Sequence, residues 1–148
     1  MWNLNPSERL RFWYDFRQKL NTISKVEAIQ STTSLWSYAP FVQHYLHYSD
    51  FTNWPNPWEL IYENTYCDLA KCLGMFYTLH LCDHRPHLEL RIYQNSSTKE
   101  QYNLVWIDKG KYVLNYVVNE IVNKEHIEKN MQLIKIITVN DLDMEKIE

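Results

Sequence analysis

The sequence predicts an α+β fold, with N-terminal helices packed on an antiparallel sheet of three to four strands. Three observations carry that reading. Helix-capping signals recur through the first half of the chain, at Asn5-Pro6-Ser7-Glu8, Ser24-x-x-Glu27, Asn56-Pro57-Trp58-Glu59 and Thr65-Tyr66-Cys67-Asp68. Apolar or alternating runs bounded by turn residues fill the second half, over residues 88–93, 102–107, 112–118 and 133–139. Composition agrees: 45% of the 148 residues are hydrophobic and only 2 are Gly, which excludes a disordered or loop-dominated chain. The length suits one domain over 1–148, divided into a helical part (1–53), a cysteine helix with antiparallel strands (54–139) and an acidic tail (140–148).

In the first helix Asn5 caps, Pro6 takes the first helical position, and Glu8 reaches back to the cap. Leu10, Trp13, Phe16 or Arg17, Leu20 and Ile23 recur at helical spacing, leaving Arg9, Arg11, Asp15 and Lys19 for water. Ser24 and Glu27 open a second helix that carries Val26, Ile29, Leu35 and Trp36 inward until Pro40 stops it. Residues 41–50 mix aromatic and polar side chains, and His44 and His47 read as half-polar aromatics of a surface helix or loop. Asn56, Pro57 and Glu59 start a third helix. The fourth runs from Cys67 to about His80 on a stripe of Leu69, Leu73, Phe76 and Leu79, and Gly74 inside it marks close packing against a neighbour. In the strand region Leu88, Leu90 and Ile92 share one face, and the run from Leu104 is apolar on both. Asp108-Lys109-Gly110-Lys111 is a hairpin turn, and Asn123 caps a short helix over Glu125–Met131 before the last strand.

The net charge of -3, with Lys and Arg scattered, offers no basic field, so no nucleic-acid partner is expected. No apolar run approaches the ~18 residues of a membrane span, and the N-terminus lacks a signal-peptide pattern, so a reducing cytoplasm is the expected compartment. Three cysteines, two of them (Cys67 and Cys72) in one helix, read as free thiols. The 6 Trp and 11 Tyr suit cores with polar rims and protein interfaces alike; Trp54 and Trp58 would pin their turn to the core or to a partner, and Trp36, Trp54 and Trp58 are the interaction candidates.

Cys67 is the sharpest chemical signal, because the free N–H groups and dipole of a helix N-terminus favour a thiolate. A helix opening on cysteine, YCDLAKCLGMFYTLHL, with Asp83-His84-Arg85 before a meander of strands, resembles the transglutaminase-like branch of the papain-like fold over residues 57–118. The resemblance implies a nucleophilic Cys at the helix start, a His opening a following strand as base, and an Asp on the next strand holding the His. Cys67 fills the first position, while Asn103 and Asn115 stand at the other two, and an amide is no general base. Residues 30–118, with LWSYAP and WPNPWELI, are also similar to small proteins of tailed bacteriophages.

Those resemblances imply a non-catalytic structural or assembly protein, a tailed-phage virion component on a degenerate transglutaminase-like scaffold. It would bind other virion subunits, oligomerise if required, need no cofactor, and reside in the virion or, during assembly, in the host cytoplasm. The alternative is a cysteine acyltransferase or amidohydrolase with Cys67 as nucleophile and Asn103 or Asn115 shaping the site. His80, Cys82, His84 and His87 have zinc-compatible residue types, but they straddle a helix end, a turn and a strand with Arg85 among them. No metal is therefore expected, and His126 would reach Cys67 only if the segment after the third strand folds back.

Overall fold

The computed structural model describes residues 1–144. Four α-helices precede the sheet: α1 Pro6–Leu20, α2 Lys25–Ser37, α3 Pro57–Glu63 and α4 Asp68–His80. Asn5, Ser24 and Asn56 cap the first three, each in a reciprocal box with the glutamate three residues on. The fourth is different: Cys67 takes the cap position with extended backbone, and its thiol makes no capping bond.

The strands are β1 Leu88–Asn95, β2 Gln101–Ile107, β3 Tyr112–Leu114 and β4 Met131–Ile137. They form one antiparallel sheet in the order β3-β2-β1-β4. The expected alternation holds, with Leu88, Leu90 and Ile92 buried on the face toward α4. Leu104 and Trp106 of β2 turn the other way and build a second cluster with Tyr93, Val113 and Val122, so the run is apolar on both faces because both are covered. The third strand is shorter than its sequence pattern. It ends at Leu114 because Asn115 adopts a left-handed φ of 72°, a conformation Asn tolerates and Val does not. The short helix expected over 125–131 is a single 3-10 turn, Lys124–His126, capped by Asn123. In the expected acidic tail, a 3-10 turn spans Val139–Asp141, and the last four positions lie outside the described residues.

α4 packs against β1 and β2 on one side and against α2 and α3 on the other. Its residues 72–79 are all buried. Two indoles converge on it. The Thr78 hydroxyl accepts Trp13 Nε1 and Trp36 Nε1, each at 3.0 Å, and donates to the Gly74 carbonyl at 2.7 Å, which uses its full capacity. A Cβ on Gly74 would overlap the six-membered ring of Trp36. The close packing expected of this glycine is thus against α2.

Two groups of residues depart from the expected pattern. Arg9, placed in water by its helical position, is only 3% exposed. Its guanidinium donates to the carbonyls of Ile61 and Tyr62, both at 2.9 Å, and so satisfies the last turn of α3. Trp36 and Trp54 are buried and Trp58 is half-buried against Trp13, so these candidates for partner contact serve the core instead. The large exposed aromatics are others, among them Tyr38, Phe41 and Tyr62. Val26, expected to face inward, is exposed.

Thr78→Val, which keeps the volume and removes the hydroxyl, leaves two buried indole donors unpaired; we expect a loss of roughly 2–4 kcal/mol in a urea titration. Thr78→Ser keeps the hydroxyl and should cost about 1 kcal/mol, the value of one methyl. Gly74→Ala gains about 1 kcal/mol of helix propensity yet must displace an indole, so the denaturant midpoint should fall with the slope unchanged.

Candidate functional site

The first turn of α4 is fixed by the strand-like segment before it. Tyr66 donates its N–H to the Pro40 carbonyl at 2.9 Å and accepts from Val42 N–H at 3.0 Å, in a parallel bridge with Phe41. The phenol of Tyr66 turns back to the Leu60 carbonyl at 2.8 Å. With Tyr66 tied at backbone and ring, the next two residues are held as well. Cys67 turns inward, 1% exposed, into the core cluster with Tyr66 and Leu69. Asp68, the first helical residue, turns outward to the sheet.

Two side chains meet at that carboxylate, and a third orients one of them. Asn103 Nδ2 donates to Asp68 Oδ2 at 2.8 Å. Asn115 Nδ2 lies 3.2 and 3.3 Å from the two carboxylate oxygens and 2.9 Å from the Asn103 carbonyl. Gln101 Nε2 donates to Asn103 Oδ1 at 2.7 Å, which orients the Asn103 amide with its NH2 toward Asp68. A cleft of about 380 Å³ opens above them, with His44, Tyr102 and Tyr116 among its walls. The two tyrosine rings stand 5.7 Å apart, and Tyr102 donates its hydroxyl to Glu100.

The structure therefore unites Asn103 and Asn115, as the sequence pattern requires, but around Asp68 and not around Cys67. Asn103 follows Asp68 by 35 residues. Counted from Cys67, the same interval of 35 residues ends at Tyr102, one position earlier. Nothing in the periodicity marks that displacement, because Thr65 to Asp68 all suit a helix start. His44, read from the sequence as a half-polar aromatic of a surface helix or loop, is the one imidazole among the residues lining the cleft, and it sits in an irregular segment without periodicity.

That segment covers the thiol. The Tyr45 hydroxyl donates to the Thr65 carbonyl at 2.9 Å and stands 3.3 Å from Glu63 Oε1. Burial first, then the charges of Glu63 and Cys67, push the Tyr45 phenol well up from its ordinary range. The other thiols are inert by position. Burial, and secondarily Asp68, pushes Cys72 well up; burial pushes Cys82 up, and its thiol donates to the Leu79 carbonyl.

The zinc-compatible residues do not assemble. Cys82 packs with Leu20 and Ala28, and His84 Nε2 lies 2.8 Å from the Leu20 carbonyl. Among the described residues no group of three His, Cys, Asp or Glu is placed to hold a metal. His126 is engaged with Asn123 in its own turn.

The helices and the four-stranded antiparallel sheet, with the first turn of α4 against the opening of β2 and the end of β3, make a transglutaminase-like fold. Its structural neighbours include LapG of Legionella pneumophila, at TM-score 0.70 and 9% identity over 90% of this chain and 76% of that one. Calcium-bound LapG matches at TM-score 0.68 and 8% identity, over 98% and 86% of the two chains, and EGTA-treated LapG at 0.66 and 9%, over 86% and 71%. No family model matches the sequence, and no curated protein matches it either. The comparison corrects the expectation of a non-catalytic tailed-phage virion component. The structures matched are of an enzyme, a transglutaminase-like cysteine protease, and they fit the cysteine-dependent alternative better.

Asn115 joins the cleft and the strand end in one residue. Asn115→Ala loses the amide and forces a Cβ residue to φ 72°, whereas Asn115→Gly loses only the amide. Alanine should be about 1 kcal/mol the more destabilising in equilibrium unfolding, and equal losses would show that the left-handed backbone is not retained.

Proposed function

We propose that the protein is a cysteine-dependent enzyme of acyl transfer or amide hydrolysis, with its chemistry at the N-terminus of α4. The observation that carries the reading is the convergence of the first turn of α4, the opening of β2 and the residue after β3 on one cleft. Those are the three places where enzymes of this fold resemblance hold nucleophile, base and orienting group. The likeness to a cysteine protease supports the same class.

In this reading Cys67 supplies the thiol, which no capping bond engages. His44, the imidazole on the cleft wall, is the base assigned to this thiol, and it can act only once Cys67 turns from the core toward the cleft that Asp68 also lines. Asn103 and Asn115 position Asp68 and do no proton transfer themselves. The free N–H groups of the first turn of α4 receive the developing oxyanion. The Tyr45 segment must shift for substrate to reach the thiol, as active-site loops do.

One observation favours a second assignment within the same cleft. The two amides converge on Asp68, so this carboxylate is the better-held group and would activate water directly. The assignments separate on two substitutions: with peptide and ester substrates, Cys67→Ala abolishes turnover in the first and spares it in the second, while Asp68→Asn is damaging in both.

The thiol assignment also predicts selectivity in alkylation. Iodoacetamide at neutral pH should modify Cys67 at least about tenfold faster than Cys72 and Cys82, whose thiols burial holds protonated. Read by peptide mass mapping of the folded protein, a Cys67 as slow as the other two would remove it from the nucleophile's role.

A further inference from the structure

A second cavity, also of about 380 Å³, lies at the opposite end of α4, where the helix meets the turn into β1 and the 3-10 turn after β4. His80, Arg85, His87, Thr138 and Asn140 line it, with no carboxylate among the lining residues. We propose that this cavity binds an oxyanion, the phosphoryl or carboxylate group of a small ligand, through the Arg85 guanidinium and the His80 and His87 imidazoles.

The argument starts from unspent positive charge. Among the described residues no carboxylate forms an ion pair with Arg85, while the acids nearest the cavity walls are engaged. Asp108 accepts the Lys25 ammonium and the His87 N–H, the latter at 2.9 Å. Asp141 caps its own turn by accepting Thr138 N–H at 2.9 Å. Asp143 lines an adjoining cavity that shares His80 and Asn140.

His80 reports the resulting field. Burial, and then the charge of Arg85, pushes its imidazole down from the ordinary range. An imidazole at a helix C-terminus should gain from the dipole, so burial, with the cationic neighbour adding to it, outweighs that gain here. An oxyanion seated between Arg85 and the imidazoles removes that repulsion and supplies the acceptors that the guanidinium fork requires. Arg85 adopts a left-handed φ of 47° in the turn before β1 and is one of the residues lining the cavity. The site shares no lining residue with the cleft at Asp68 and does not depend on the reading of that cleft.

The test titrates the full chain with inorganic phosphate and, separately, with acetate, at fixed pH and ionic strength, while NMR follows the imidazole Cε1–H resonances. His80 and His87 should shift saturably with a dissociation constant on the order of 1 mM, with His44 and His126 as internal controls. Stronger saturation by phosphate identifies a phosphoryl ligand, and stronger saturation by acetate a carboxylate. Arg85→Asn, which tolerates the left-handed backbone, should weaken binding about tenfold or more. His87→Gln, at the exposed opening of β1, should weaken it without disturbing the fold. Linear shifts common to all the histidines, or saturable shifts that Arg85→Asn and His87→Gln leave unchanged, would overturn the assignment.

Discussion

The Thr78 hydroxyl holds three helices to one point. It takes an indole N–H from α1 and another from α2 while standing on α4 itself, and all three bonds lie in the core. A hydroxyl has one donor and two acceptor sites, so nothing is left over. Gly74, one turn earlier, brings the Trp36 ring down onto the α4 backbone, and that approach sets the distance between α2 and α4. With the sheet on the other side, α4 is fixed in rotation and in height. Its two ends then project reproducibly, one at the Asp68 cleft and one at the His80 cavity.

Fixing the helix is not enough to fix its first residue, and the chain adds a second restraint there. Tyr66 is tied by backbone to Pro40 and Val42 and by its phenol to Leu60, while its ring meets Trp36 and Trp2 edge-on at 5.2 and 5.4 Å. Arg9 closes the end of α3 just before this point. An arginine buried for this purpose keeps its charge and spends its donors on carbonyls that would otherwise be unsatisfied in the interior. The cost of burial is thus offset by several backbone acceptors, and the loop between α3 and α4 gains a defined path. This is a rigid mounting for the functional groups that follow.

Much of this was legible from residue types and spacing. The capping boxes at Asn5, Ser24 and Asn56 are local, depending on residues three apart, and local rules suffice for them. The α4 stripe, the β1 alternation and the reason for Gly74 also follow from periodicity. What escaped depends on partners distant in sequence. Arg9 lies on a polar helical position, and only α3 arriving more than fifty residues later buries it. The end of β3 is set by a backbone sign change at Asn115, which the apolar residues beyond it disguise. Trp36 and Trp54 look like surface anchors in a sequence, since nothing local says which of many aromatics the core will claim.

The candidate site shows the same division more sharply. Cys67 and Asp68 are neighbours, yet one side chain enters the core and the other faces the sheet, because the cap residue is extended and the next is helical. A pattern that tolerates an error of one residue for fold recognition does not tolerate it for chemistry. The consequence is electrostatic. The negative charge at the cleft is that of Asp68, held by two amides, while the Cys67 thiol lies in the core. In the proposed acyl transfer, negative charge passes from sulfur to the acyl oxygen as the bond forms and is received by the N–H groups of the α4 first turn. The amides of Asn103 and Asn115 meanwhile hold the carboxylate away from the developing oxyanion. On this argument the two asparagines do more than fill vacated positions, because without them Asp68 is free to turn toward the oxygen that the helix must stabilise.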